Sequence, residues 1–469
     1  MNHYTRQSTI IFILLLSIII GCGKDEGNEV TGKVILSDNP NNITPAVSLF
    51  NPAAIPSSIE NYSLEFPQCG AIINQSCFFD HRLQNPIKTS TCSSNGDYTI
   101  AGVSGGYYIA VFTAEGFGWR YSPPFNVDGN HHLGTIELFP VQYPGIYITS
   151  DEIWASGHQY FIQDSVRVEA GATLTVEPGV WVLFGGTLSK ISILGVLMAV
   201  GDEENWIRFT SDGPDFSPAD WNRISLVNNS DSVSTIEYAL MEYANTGISA
   251  NSGKAALRNV ISRHCYTGVA VLTQQLSDIS RCTIYDCRNG FCGSADMRID
   301  SSLVSGCDEI GIAVYNTNGW IYDTIVEACS LGFKEDHSPL IQFEYNLVHG
   351  NCIGLEMQAG SPVNLLVQYN NIVGNSVYGM RCFASAYPHT HYNNFIDNPY
   401  AVYSYAQMWG TIPLQDEDID AEYNYWNTTS PDEISAIIRD GNTPGTLNWL
   451  GIVNFIPFLT QTEPAAGPR

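Results

Sequence analysis

The chain has 469 residues and a formal net charge of −27, from 47 acidic against 20 basic side chains. That charge repels nucleic acid and anionic lipid surfaces and disfavours anionic polysaccharide unless a cation bridges it. Charged residues make up only 14% of the chain, while Gly (41) and Tyr (25) are plentiful; the mix suits strands and turns, in a length that fits two domains or one elongated one.

The chain opens with MNHYTRQSTIIFILLLSIIIGCGK, a polar start with Arg6 followed by an apolar run from Ile10 to Ile20. The run is short of the ~20 apolar residues of a spanning helix and fits the core of a secretory signal. Ile19-Ile20-Gly21-Cys22 resembles the lipobox of bacterial lipoproteins. The resemblance implies a signal peptide over 1–21, lipid on Cys22, export, and a lipidated linker over 22–29. Gly23 rather than Asp after the cysteine leaves the outer membrane or cell surface as destination. Lipid is then the membrane contact, and the protein behind it is soluble.

From 30 to 140 the pattern is that of a small antiparallel β-sandwich. Tyr98 and Ile100, then Tyr108, Ala110 and Phe112, alternate at period two, with Asn95-Gly96 and Gly105-Gly106 as turns. NGDYTIAGVSGGYYIAVFTAEGF resembles the carboxypeptidase regulatory-like domain, which implies a spacer or stalk module. Cys69, Cys77 and Cys92 lie in its long, Pro-rich insertion. Three cysteines cannot all pair, so one disulfide and one free thiol are expected in an oxidising compartment.

From 144 to 460 the sequence repeats. One position is filled in turn by Ala244, Cys265, Cys287, Cys307, Cys329, Asn351, Asn375 and Asn398, spaced 20 to 24 residues apart. Glycine follows three or four residues later in seven of the eight, Ala401 replacing it in the last, and an apolar residue comes next. This period suits a coil of three short strands. It resembles the right-handed parallel β-helix of the pectate-lyase-like superfamily. The fold class expected is therefore all-β: an antiparallel sandwich, then a parallel β-helix with coils of about 22 residues.

The repeat position should form one interior column, a ladder of Cys265, Cys287, Cys307 and Cys329 that gives way to Asn351, Asn375 and Asn398. The stretch CTIYDCRNGFC, from Cys282 to Cys292, then holds one rung, Cys287. A linear stack does not converge as tetrahedral zinc ligands must, and parallel side-chain vectors fit disulfide geometry badly.

The opening VRVEAGATLTVEPGVWVLFGG resembles the first coils of bacterial surface β-helices, and IDAEYNYWNTTSPDEISAIIRDGN resembles their close. Ser430-Pro431, with Asp432 and Glu433, supply a helix start that should cap the end and protect its unpaired strand. Residues 461–469 read as a tail.

Two residues after the glycine, the outward positions change along the chain. Ser249, Ala270, Cys292 and Ala313 give way to Lys334, Glu356, Arg381 and Tyr403, with Asp336, Gln358, Phe383 and Tyr405 two residues on. Cations that neutralise sugar acids and rings that stack on pyranoses make Lys334, Asp336, Glu356, Arg381, Phe383, Tyr403 and Tyr405 the candidate ligand-binding set, against a solvated face with an alternating-sign ion ladder worth little per pair. Glu335 falls on the inward parity, so either the strand has ended or a carboxylate is buried with a raised pKa.

The superfamily's lyases use clustered carboxylates on calcium with a basic residue, and its polygalacturonases paired aspartates with Gly-His-Gly; neither pattern occurs here. A catalytic reading would fall on Lys334, Glu356, Arg381 and Tyr403. The run Asp416 to Asp420 offers Asp416, Asp418 and Asp420 as oxygen ligands of the kind calcium takes, against a structural turn. His389 and His391 could pair on one strand face. No other cofactor is expected. The function expected is an exported, lipid-anchored, monomeric surface protein that binds polysaccharide or a surface protein without catalysis. The alternatives are a polysaccharide lyase, hydrolase or epimerase, and a purely structural envelope protein.

Overall fold

The computed structural model describes residues 27–73, 75–213, 216–227, 232–272, 277–358, 364–383, 386–405, 408–409, 412–413, 418–445 and 451–469. The signal segment 1–21, Cys22 with most of its linker, and Asp416 lie outside the described residues.

The first strand, Asn28–Leu36, begins inside the span read as linker. It pairs antiparallel with Asp97–Val103 and parallel with His131–Leu138. A second sheet joins Ala46–Phe50, Lys88–Thr91 and Gly106–Thr113, with the short strands Arg120–Tyr121 and Phe125–Val127. Tyr98, Ile100, Tyr108, Ala110 and Phe112 point into one core between the sheets, as their alternation requires. Ile109 and Val111 are buried as well, because Phe79 of the insertion, with Phe50 from the end of the neighbouring strand, covers the other face of their strand.

That insertion, read as a loop of a spacer module, is packed against the second module. Ile59, Cys69, Cys77 and Phe78 share a buried cluster with Leu240, Ile261, Tyr285, Leu303 and Ile325. The Ala71 N–H donates to Thr283 Oγ1 at 2.9 Å, and Arg82 donates to the Ser211 carbonyl at 2.6 Å. All described cysteines are free thiols, so the expected disulfide is absent among them. Cys92 sits in the core of the first module, whereas Cys69 donates to the Asp323 carbonyl at 3.0 Å.

The second module is a parallel β-solenoid of about 11 turns. Each coil carries three strands, as in Ser277–Ser280, Thr283–Tyr285 and Asn289–Gly293. The first two strands of each coil build a 22-stranded sheet with two faces, and the third builds a 13-stranded sheet, the third face.

The expected ladder stands at the corner before the third face. Ala244, the four cysteines, Asn351 and Asn375 are all at most 3% exposed, and Asn398 is 7%. A residue in the left-handed region precedes each cysteine and asparagine rung, from His264 (φ 53°) to Asp397 (φ 55°), and turns the chain at the corner. Asn351 Nδ2 donates to Asn375 Oδ1, and Asn375 Nδ2 to Asn398 Oδ1, while the same oxygens accept the rungs' backbone N–H groups. The glycine of the repeat is a matter of space: a Cβ on Gly354 would lie 2.4 Å from the Gly379 carbonyl oxygen.

A second ladder, not singled out from the sequence, fills the corner between the first two faces. Cys282, Ser302, Thr324, Asn346, Asn370, Asn393 and Asn424 form it, each backbone N–H donating to the next rung's side chain. Outside it, Tyr345, Tyr369, Tyr392 and Tyr423 stack at 5.1 to 5.7 Å between centroids. Cys282 is thus a rung of this second ladder, and Cys292 lies on the outward row of the third face.

The helix Pro431–Ala436 closes the solenoid. Ser430 accepts from the Glu433 N–H, Pro431 fills the first turn, and Ile434 enters the core. The following strand, Ile438–Arg439, pairs with Tyr400–Tyr405 and so covers the last edge of the third face. The segment read as a tail folds back along the coils. Gly467 N donates to the Tyr369 carbonyl, Glu463 N to Asn394 Oδ1, and Arg469 stacks on Tyr345 at 3.4 Å.

Candidate functional site

The repeat register carries the site. After each glycine, or Ala401 in the last coil, Ile248, Val269, Phe291, Ile312, Phe333, Leu355, Met380 and Val402 are buried inside. The next positions form one outward row in which Lys334 opposes Glu356, Glu356 opposes Arg381, and Arg381 opposes Tyr403. The row continues to Arg439, which reaches it from beyond the capping helix.

The row is an interlocked set. Arg381 pairs with Glu356, and Lys334 Nζ lies 3.8 Å from the same carboxylate and 3.4 Å from Asp336. Glu356 is only 6% exposed although it faces outward, so these cations serve first to neutralise a sheltered carboxylate. Of the two readings open for this stripe, a ligand surface and an ion ladder, the cross-strand pairing favours the ladder for Lys334, Glu356 and Arg381 and takes up much of their charge. The Arg381 guanidinium also lies over Phe383 at 4.8 Å and Tyr378 at 5.8 Å. Tyr378 stacks on Tyr403 at 5.0 Å, and Arg439 lies over Tyr403 at 5.2 Å. The side chain of Tyr405 lies outside the described residues.

Tyr378 and Arg439 join the site without having been read from the sequence. Tyr378 escaped alternation, since the residue before Gly379 shares the parity of buried Met380, yet it is half-buried and stacks on Tyr403. Arg439 carries no such signal, because the helix that delivers it interrupts the repeat.

Glu335 is buried at 0% exposure inside its strand, where it accepts from the N–H groups of Ser338 at 2.6 Å and Gln358 at 2.9 Å. Burial pushes its carboxyl up to about 7, the two N–H donors opposing the shift. Of the two open readings, the buried carboxylate is the one that holds.

Of the acidic run, the described carboxylates Asp418 and Asp420 turn to different partners. Asp418 accepts from the Ile452 N–H at 2.9 Å. Asp420 bridges His389 (3.1 Å) and His391 (2.7 Å), and despite its partial burial these hydrogen bonds hold its carboxyl below the usual range. Among the described residues, no group of three or more His, Cys, Asp or Glu could hold a metal ion.

Residues 223–365 match the family model of the right handed beta helix region. No curated protein and no solved structure matches the chain. The matched segment spans the coils from Arg223 to Leu365 and includes Lys334 and Glu356. A right-handed β-helix is consistent with a surface-binding or carbohydrate-active protein, and fold alone does not choose between them.

Proposed function

We propose that this chain is an exported, lipid-anchored surface protein whose third face binds an extended glycan along the row Lys334, Glu356, Arg381, Tyr403 and Arg439. The observation that carries the reading is the register itself: three charges of alternating sign, a ring and a further cation follow one another across five consecutive strands, one strand spacing apart. Lys334, Arg381 and Arg439 outnumber Glu356 and Asp336, leaving a locally positive strip on a strongly acidic molecule. Tyr378, Phe383 and Tyr403 add half-buried ring faces beside it. A binding role is favoured over a chemical one because Glu356 is clasped by Arg381 and Lys334, and Asp336 by Lys334 and His337. A carboxylate so neutralised is a poor general base. The membrane end of the reading rests on the apolar run and Cys22.

The test is a glycan array probed with the full chain. Because Arg381 supports Glu356, the comparison is E356Q against E356Q/R381A/Y403A. The triple variant should bind at least about tenfold more weakly, a loss of about 1.4 kcal/mol. Equal binding by the two would move the site elsewhere. Unsaturated products from uronic-acid polymers would replace binding with lyase chemistry.

A further inference from the structure

The outward row of the third face extends far toward the N-terminal side of Lys334. There the strands Lys190–Ile193 and Trp221–Leu226 pair in parallel, with Lys190 opposite Arg223 and Ser192 opposite Ser225. Together with Asn222 and Asn251, these four side chains line a cavity of about 240 Å³. The lining holds two cations, two hydroxyls and two carboxamides, with neither a carboxylate nor an apolar side chain among its residues.

Three features make this a site rather than a polar patch. First, the carboxamides and hydroxyls are oriented. Asn251 Nδ2 donates to Ser225 Oγ at 2.7 Å while its Oδ1 accepts from Ser249 Oγ at 2.6 Å, and Arg223 Nε donates to Asn222 Oδ1 at 2.8 Å. Ser225, 6% exposed, accepts there, and its own proton finds no acceptor among the described residues. Second, neither Lys190 nor Arg223 makes an ion pair with a described residue, in a molecule where carboxylates outnumber cations more than two to one. Arg263, Arg288 and Arg381 all have carboxylate partners. Third, like charges directly opposite on neighbouring strands destabilise a sheet, so the pair stores a repulsion that an anion between them would relieve.

We propose that this cavity is an oxyanion site that takes the sulfate or carboxylate group of an acidic glycan, with Lys190 and Arg223 neutralising it and Ser225 donating a hydrogen bond. The polar lining recognises the charged substituent and offers no ring on which a sugar could stack. The glycan as carrier rests on the reading of the Arg381 row; the oxyanion site does not. From Ser225 to Lys334 the two are joined along the same face by Ser249, Ala270, Cys292 and Ala313, five strand steps of ~4.8 Å, or ~24 Å in all. The net charge of −27 sets a limit on the ligand: a sparsely charged chain is accepted and a densely charged one repelled.

The experiment uses the full chain at constant ionic strength and calorimetric titration with inorganic sulfate, neutral galacto-oligosaccharide, its sulfated form and oligogalacturonate. The wild type should bind a sugar-borne acidic group more tightly than inorganic sulfate, and K190Q/R223Q should weaken that binding tenfold or more. In buffer without the ligand, K190Q/R223Q should melt at or above the wild-type temperature, since it removes the repulsion. The E356Q/R381A/Y403A variant should keep its inorganic sulfate binding, which separates this site from the Arg381 row. Binding of inorganic sulfate alone would overturn the glycan carrier. No anion binding by the wild type, or equal binding by K190Q/R223Q, would overturn the site.

Discussion

Asn375 Oδ1 accepts two hydrogen bonds from Asn351 on the preceding coil, one from its side-chain Nδ2 and one from its backbone N–H, both at 3.1 Å. One carboxamide oxygen thus satisfies a buried side chain and a buried corner amide together. Asn375→Ala would leave the Asn351 backbone N–H and one of its two Nδ2 protons without a partner, the other keeping the Val326 carbonyl. At about 1–3 kcal/mol for each unsatisfied group, the loss should be a few kcal/mol, read as a lower urea midpoint for the full chain. A midpoint unchanged from wild type would show that water or a local shift replaces the rung.

The cysteine rungs should be inert in the native protein. Burial and the hydrogen bond with Cys265 push Cys287 well above the ordinary thiol range, and the hydrogen bond with Cys329 and burial do the same for Cys307. Cys265 is held lower, burial being outweighed by its hydrogen bonds with Cys287 and Ser262, and its complete enclosure keeps reagents away. Alkylation followed by peptide mass spectrometry should find Cys352, which is exposed, modified at once. Cys265, Cys287, Cys307 and Cys329 should react only after denaturation. Native labelling of all four would contradict the interior column.

Glu335 gives the fold a pH dependence of definite sign. Its carboxyl is raised from the ordinary 4.5 to about 7 in the folded protein, so between those values the folded state holds a proton that the unfolded chain has released. Its contribution is fully present below pH 4.5 and is lost as pH rises through about 7, on the order of 3 kcal/mol. Glu335→Gln should flatten the stability profile between pH 5 and about 8, although it gives up one of the two N–H acceptors. A variant profile parallel to wild type would assign the dependence to other groups.

Arg381→Ala should destabilise the protein, because Glu356 is 6% exposed and would keep only Lys334 at 3.8 Å. Losing one partner of a sheltered pair costs up to about 3–5 kcal/mol. Adding Glu356→Gln should restore most of it. The double-mutant cycle in urea separates this pairing energy from any effect on ligand binding. Additive losses would mean that the two side chains act independently.

The coil, its period and one complete ladder were legible because a solenoid makes its contacts between neighbouring repeats. A stride of 20 to 24 residues in the chain is one strand spacing in space, so Cys265 to Asn398 could be stacked on paper. Strand parity likewise separated Phe333 and Glu335 inside from Lys334 and Asp336 outside. The second ladder escaped because its rungs vary from Cys282 through Ser302 and Thr324 to Asn346, joined by hydrogen-bonding capacity rather than by residue type.

What the tertiary structure alone decided lies where the repeat stops or another segment arrives. Phe78 against Tyr285, Arg439 over Tyr403 and Arg469 over Tyr345 join residues with no periodic relation, through a packed insertion, a capping helix and a folded-back C-terminal segment. The charge state of the third face was decided in the same way. Sequence placed Lys334 and Arg381 on one outward row, but only the packed sheet brings both onto the sheltered carboxylate of Glu356 while leaving Lys190 and Arg223 side by side without one among the described residues. Periodicity fixes which face a side chain occupies; which partner meets its charge depends on distances of a few ångströms that only the assembled sheet sets.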